Sequence, residues 1–201
     1  MTRISPAWVR FLGLAILCCY APHASAHIED AAAGFASGFM HPVLGLDHFL
    51  AMFSVGIVSA QLGGKNVYTV PTAFVAAMLA GGAVGAVQIG LPYAEQGIAL
   101  SVIVLGLAIV LARQGGRSLP VLIVTAFFGF LHGHAHGMEM PLAADPIYYA
   151  AGFVASTAGI HLFGVGVGHV LTRKTRLLTM LRLLGSAMAG IGVVILVKGL
   201  A

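Results

Sequence analysis

The chain has 201 residues, of which 59% are hydrophobic and only 8% carry a charge, and its mean hydropathy is +0.99. A water-soluble domain of this length needs a far more charged surface, so the composition indicates a membrane protein. The formal net charge of +4 could indicate nucleic-acid binding. The basic residues lie at predicted helix ends rather than along one stripe, which excludes that class of partner.

The first 26 residues have the three parts of a secretory signal peptide. A positive amino-terminal region is followed by a short apolar stretch at 11–21 and by a small-x-small cleavage pattern at 24–26. An uncleaved first helix is the alternative, but this apolar stretch is short for a membrane span. We therefore expect cleavage of residues 1–26, which removes both cysteines and leaves His27 at the start of a mature domain, 27–201.

The mature domain is predicted to be an all-α polytopic membrane protein, a six-helix transmembrane bundle. Its apolar runs are close to the ~20 residues that a helix needs to cross a bilayer. The connectors between the runs are short, so no linker separates domains. The predicted spans are approximately 34–61, 68–91, 95–113, 118–137, 146–171 and 178–199.

Basic residues predict the orientation of the bundle. Most lie at alternate connectors or the adjoining helix ends, whereas the carboxylates lie toward the opposite ends. The positive-inside rule places the basic connectors in the cytoplasm of an inner-membrane protein, with both mature termini in the periplasm. The basic residues on the predicted cytoplasmic side are Lys65, Arg113, Arg117, Arg173, Lys174, Arg176 and Arg182.

The fourth predicted span ends in a cluster of histidines. His132, His136 and Glu139 are spaced i, i+4 and i+7, which places them on one helical face, whereas His134 points to another rim of the site or to water. Ionisable groups at membrane depth cost about 2.5–3.5 kcal/mol each on insertion scales. Histidines that only hydrogen-bond between helices are the alternative. Three histidines and a glutamate within eight residues favour a metal site instead.

The first predicted span holds a second cluster. His41 and His48 are seven residues apart and share a face, whereas Asp47 is displaced from His48 by about 100°. Asp47 can ligate from the side, or it can orient His48 through a hydrogen bond. Pro42 and Gly45 predict a distorted helix that arranges these side chains around a point. A simple Asp47–His48 pair is the alternative, and it is compatible with a ligand role for His41.

Two further histidines are weaker candidates. His161, in the fifth predicted span, is a lone histidine at membrane depth, and we favour a ligand over a packing residue. His27 would offer an amine and an imidazole that chelate a metal. Imidazole and carboxylate without thiolate suit nickel, cobalt, zinc or copper(II), whereas magnesium and calcium prefer oxygen ligands. The order of affinities does not separate nickel from cobalt or zinc.

The two clusters resemble the paired motifs of the HupE/UreJ family. Residues 41–48 read HPVLGLDH and match HPxxGxDH, and residues 131–139 resemble FHGxAHGxE, although Leu131 stands where the family motif has Phe. The resemblance extends over the whole mature chain. His134 occupies a variable position of the second motif. The resemblance carries a metal-handling role to His41, Asp47, His48, His132, His136 and Glu139.

The resemblance implies a secondary permease for nickel, in some members cobalt, that supplies hydrogenase or urease maturation and passes the ion to cytoplasmic nickel chaperones. The chain lacks a P-loop, so no ATPase is expected within it. We expect no enzyme activity and no prosthetic group. A metal-binding accessory protein, sensor or store without transport is the alternative, as is a cobalt permease. A di-haem cytochrome, or a hydrolase using Ser54 or Ser156, fits the motifs less well.

Overall fold

The computed structural model describes residues 32–141 and 144–200, and its regular structure within these ranges is entirely α-helical. The predicted polytopic helical bundle is confirmed. The predicted signal peptide and His27 lie outside the described residues. The helices are α1 (Ala32–Leu44), α2 (Leu46–Leu62), α3 (Asn66–Ala86), α4 (Ala94–Leu111), α5 (Ser118–Glu139), α6 (Pro146–Leu171) and α7 (Thr175–Lys198).

The first predicted span is broken into two helices. Helices α3 to α7 are each long and apolar enough to cross a membrane, but α1 and α2 meet this criterion only as a pair that is bent by 80°. Gly45 lies at the bend with extended backbone angles, φ −77° and ψ 109°. A Cβ atom there would lie 2.9 Å from Nδ1 of His48, so the absent side chain makes room for the site. The bundle has six spans if the bent pair counts as one.

The other spans lie close to their predicted bounds. The largest difference is at the end of α3, which is predicted at residue 91 and found at Ala86. Gln88 has a φ of 60°, in the left-handed region that ends a right-handed helix. Pro92 also disfavours helical angles at the residue before it. The residues of this connector are mostly apolar, so a prediction from hydropathy alone makes the span too long.

Helix α2 occupies the centre of the bundle. Every residue from 51 to 59 is buried, and α2 contacts α3, α4, α5, α6 and α7. Large apolar side chains cover the outside of the other helices, for example Leu162 and Phe163, which are 70% and 58% exposed. Such a surface suits lipid rather than water. The start of α2 therefore places Asp47 and His48 among helices and not against lipid.

Glycines bring α3 and α5 into backbone contact. A Cβ atom on Gly81 would overlap the carbonyl oxygen of Phe130, and one on Gly133 would overlap the carbonyl oxygen of Met78. Small residues repeated every four positions allow this approach, which drives helix association in lipid. The tight contact fixes the rotation of α5, and that rotation decides which of its histidines face α1 and α2.

We expect Gly81→Ala to lower the thermal unfolding midpoint of the detergent-purified protein. The added methyl group must push α3 away from α5, and overpacking of this kind costs about 1–3 kcal/mol. Gly166→Ala is the matched control, because nothing lies within 4 Å of its Cβ position on α6. That variant should keep or slightly raise the midpoint, since alanine favours a helix. Equal midpoints for both variants would contradict the close packing of α3 and α5.

Candidate metal centre

Four histidines from three helices meet beside the bend between α1 and α2. His41 comes from α1 and His48 from α2, while His132 and His136 come from successive turns of α5. The ring of His136 lies at the centre, with its centroid 4.6 Å from that of His41 and 4.4 Å from that of His48. The ring of His132 lies deeper and is 5.1 Å from His48. The structure thus brings together histidines from both predicted clusters, all except His134.

The two carboxylates occupy different places in the cluster. Oε2 of Glu139 lies 3.4 Å from Nε2 of His41. His41, His136 and Glu139 each offer a ligand atom, and these atoms lie within 4.8 Å of one another, close enough to hold one ion. Asp47 instead accepts a hydrogen bond of 2.6 Å from Nδ1 of His48 and another of 2.8 Å from the His48 backbone N–H.

Hydrogen bonds select which imidazole nitrogens are free to bind a ligand. The Nδ1–H group of His48 donates to Asp47, and that of His132 donates to the carbonyl oxygen of Phe128 at 2.8 Å. In both rings Nε2 then carries the lone pair, and it has no hydrogen-bond partner among the described residues. Neither ring nitrogen of the buried His136 has such a partner. Buried polar atoms are usually bonded, so these free nitrogens mark a place for a ligand.

Tyr149 and Phe153 of α6 complete one wall of the cluster. The hydroxyl of Tyr149 lies 3.2 Å from Nδ1 of His41, a hydrogen bond that orients this ring and leaves its Nε2 facing Glu139. The ring of Phe153 lies 4.2 Å from that of His136. Sequence reasoning did not single out either residue. A tyrosine in an apolar helix gives no local signal, because its partner on α1 is more than a hundred residues away.

His134 lies outside the cluster. Its Nε2–H group donates a 2.6 Å hydrogen bond to the carbonyl oxygen of Ile89, in the connector between α3 and α4. His134 is also one of the residues around a cavity of about 270 Å³ that Glu95 and Glu139 line. Sequence reasoning missed Glu95. The signal that could have found it is an acidic residue in the first turn of a span, at the end where both clusters lie.

His161 packs against an aromatic ring that the cluster also contacts. The ring centroid of Phe74 lies 5.5 Å from that of His132 and 5.2 Å from that of His161. His161 is 2% exposed, and neither of its ring nitrogens has a hydrogen-bond partner among the described residues. Its described ring contact is with Phe74 and not with another histidine, so His161 lies next to the cluster and not within it.

Apolar helices packed around these histidines define a multi-pass membrane protein with a candidate metal centre. The sequence model of the family described as HupE / UreJ protein matches residues 14–195. The chain is also 41% identical over 175 residues to Protein HupE of Rhizobium leguminosarum bv. viciae, an alignment that covers 87% of this chain and 90% of that protein. No solved structure matches the chain.

The chain therefore belongs to the HupE / UreJ family. This is a family of membrane accessory proteins associated with nickel and cobalt in hydrogenase and urease function, and it is not a known enzyme family.

We expect His134→Ala to lower the thermal unfolding midpoint, because the carbonyl oxygen of Ile89 loses its donor. A net hydrogen bond is worth about 0.5–1.5 kcal/mol, and removal of the His134 ring, which is 2% exposed, also leaves an unfilled space. His169→Ala is the control, since this histidine is exposed and its bond to Arg173 is made in water. Unfolding of both variants, followed by light scattering in detergent without added metal, measures the difference. A midpoint for His134→Ala equal to that of His169→Ala would refute a structural role for the His134–Ile89 bond.

Proposed function

We propose that the protein is a secondary transporter that imports a divalent transition metal, with Ni²⁺ as the favoured ion, for hydrogenase or urease maturation. The observation that supports it is the group of His41, His136 and Glu139, whose ligand atoms lie within 4.8 Å of one another. The rings of His48 and His132 lie next to this group, and their Nε2 atoms have no hydrogen-bond partner among the described residues. Imidazole and carboxylate without thiolate suit Ni²⁺ and its neighbours in the first transition row. The association of the family with nickel and cobalt supports the same ions.

The order of burial along the cluster suggests the path of the ion. The side chain of Glu139 is 50% exposed and that of His41 is 32% exposed, whereas His48 is 7% exposed and His132 is fully buried. In our proposal the ion first binds among His41, His136 and Glu139, and then passes to the free nitrogens of His48 and His132. Each step exchanges one ligand for another, so the ion is never stripped of all ligands, and no single site binds too tightly for release.

The carboxylates supply the charge that a dication needs in a low-dielectric bundle. Water offsets the charge of a free ion, but few water molecules fit among packed helices, so Asp47 and Glu139 must do so instead. Glu95, on the wall of the cavity that Glu139 also lines, would raise the local cation concentration at the entrance. We assign Asp47 to positioning His48 and to balancing charge, and Glu139 to direct ligation.

In our proposal the ion continues from His132 toward His161. The ring of Phe74 packs against both histidines, and we propose that this side chain moves as the ion passes. The membrane potential can drive inward movement, since it favours entry of a positive charge by about 2.3 kcal/mol per 100 mV. We place the histidine cluster on the periplasmic side, because every described basic residue except Lys198 lies at the other end of the helices.

Flux into liposomes tests transport directly. Purified protein is reconstituted with a nickel-quenched dye inside the vesicles, and Ni²⁺ is added outside with an inside-negative potential. We expect quenching that depends on the protein, with Co²⁺ and Zn²⁺ as competitors that rank its selectivity. Nickel binding without flux would replace the transporter by a metal store or sensor, and neither binding nor flux would reject a nickel role altogether.

We expect His132→Ala and His136→Ala each to reduce the initial rate of nickel uptake roughly tenfold or more, because each removes a free nitrogen from the cluster. His134→Ala should have a smaller effect, since its ring is bonded to Ile89 instead. Uptake is measured in cells that lack other nickel importers, at equal amounts of each variant in the membrane. A larger loss in His134→Ala than in the other two would overturn the ligand assignment.

We expect Asp47→Asn to reduce the initial uptake rate by about tenfold although it preserves size. The amide is a weaker acceptor for the Nδ1–H group of His48, and it removes a negative charge that balances the ion. Asp47→Glu should be milder if charge alone matters, and equally severe if the 2.6 Å bond to His48 must keep its geometry. Wild-type rates in Asp47→Asn would remove Asp47 from the site.

We expect Tyr149→Phe to weaken nickel binding by the purified protein about tenfold, because the ring of His41 loses the hydrogen bond that orients it. Tyr148→Phe is the matched control, since Tyr148 is the neighbouring residue, is 47% exposed and makes no side-chain hydrogen bond among the described residues. Equilibrium titration with Ni²⁺ compares the two variants. Equal affinities would show that His41 needs no support from Tyr149.

A further inference from the structure

A second cavity lies at the end of the bundle opposite the histidine cluster. It has a volume of about 650 Å³ and is surrounded by the ends of α2, α4 and α6 and by the first turns of α7. Three arginines line it, one from each of three segments: Arg113 after α4, Arg173 after α6 and Arg182 in α7. The proposed path of the metal uses none of these residues.

Among the residues that the structure describes, the arginines of this cavity have no carboxylate partner. Every described carboxylate lies at the other end of the helices, at the start of α2, α4 or α6 or the end of α5. The ion pairs of the described residues join histidine to a carboxylate and involve no arginine. Arg173 donates instead to Nε2 of His169 at 3.0 Å, so this guanidinium is bonded to a neutral ring and keeps an unbalanced charge.

The positive-inside rule explains arginines at this end, but it does not explain why three of them line one cavity, where all three are exposed. Lys65, Arg117, Lys174 and Arg176 satisfy the same rule without lining the cavity. Gln61 is the buried polar residue of the cavity wall. Its Nε2 donates to the carbonyl oxygen of Ile109 at 2.8 Å, which ties the end of α2 to the end of α4.

We propose that this cavity binds a phosphate group, either free inorganic phosphate or the head group of an anionic lipid. Guanidinium groups form paired hydrogen bonds with phosphate oxygens, and three of them offset its charge. A divalent cation would be repelled by the same arginines, so the cavity is not a second metal site.

The experiment compares arginines that line the cavity with arginines that do not. Full-length protein is purified in neutral detergent as wild type, Arg113→Gln and Arg182→Gln, with Arg117→Gln and Arg176→Gln as controls that lose the same charge nearby. Binding of sodium phosphate is measured from the saturable rise of the unfolding midpoint, against sodium chloride at equal ionic strength. Retention of phosphatidylglycerol is measured by native mass spectrometry. No metal is added, so the result is independent of transport.

We expect each cavity variant to weaken binding about tenfold, the loss of one charge-assisted hydrogen bond, while both controls bind as the wild type does. Saturable binding of free phosphate would identify a soluble anion as the ligand. Retention of phosphatidylglycerol alone would identify the lipid head group. If wild-type protein binds neither, or if the controls lose as much affinity as the cavity variants, the proposal is overturned and the arginines only orient the bundle. Two cavity variants are used so that the comparison with the controls still holds if one of them fails to fold.

Discussion

The bend at Gly45 is the constraint on which the histidine cluster depends. Seven residues of a straight helix rise about 10.5 Å, which would hold His41 and His48 two turns apart along one axis. The 80° bend turns α1 across the bundle instead, and the two rings come to lie 6.2 Å apart, with both near His136. Gly45 also has no side chain that would crowd Nδ1 of His48. The same residue therefore breaks the helix and leaves room for the Asp47–His48 hydrogen bond. Close contact with α3 fixes α5 on the other side.

Much of this arrangement could be predicted from local patterns. The bounds of α6 agree with the predicted 146–171 because Asp145 caps its first N–H groups and Pro146 suits the first helical turn. The i, i+4, i+7 spacing places His132 and His136 toward α1 and α2 and leaves His134 on another side, where it meets Ile89. The size of the bend could not be read from Pro42 and Gly45, because a proline and a glycine permit a bend without setting its angle.

Residues that contact the histidines from other helices show no recognisable pattern in the sequence. Tyr149 reaches His41 only because α6 packs beside α1, and Phe74 contacts both His132 and His161 only because α3 packs closely against α5. Both are ordinary residues for an apolar helix, so composition and spacing cannot distinguish them from the residues that face lipid. Glu95 is different, since an acidic residue at the start of a span is visible in the sequence, but its nearness to Glu139 depends on how α4 and α5 pack.

Charge is separated along the helices in a way that matters for cation transport. Carboxylates and free imidazole nitrogens lie at one end, where they favour a dication, whereas three arginines surround the cavity at the other end, where they oppose it. In the proposed transporter a cation therefore moves from the histidine cluster, which attracts it, toward the arginine-lined cavity, which repels it. It would leave more readily if a bound anion neutralised the arginines. A phosphate group bound in this cavity would lower the electrostatic barrier to release of the cation without binding the metal tightly. The basic residues that orient the bundle in the membrane repel the metal cation as long as they have no anionic partner. A bound anion in the cavity around Arg113 and Arg182 would remove this repulsion.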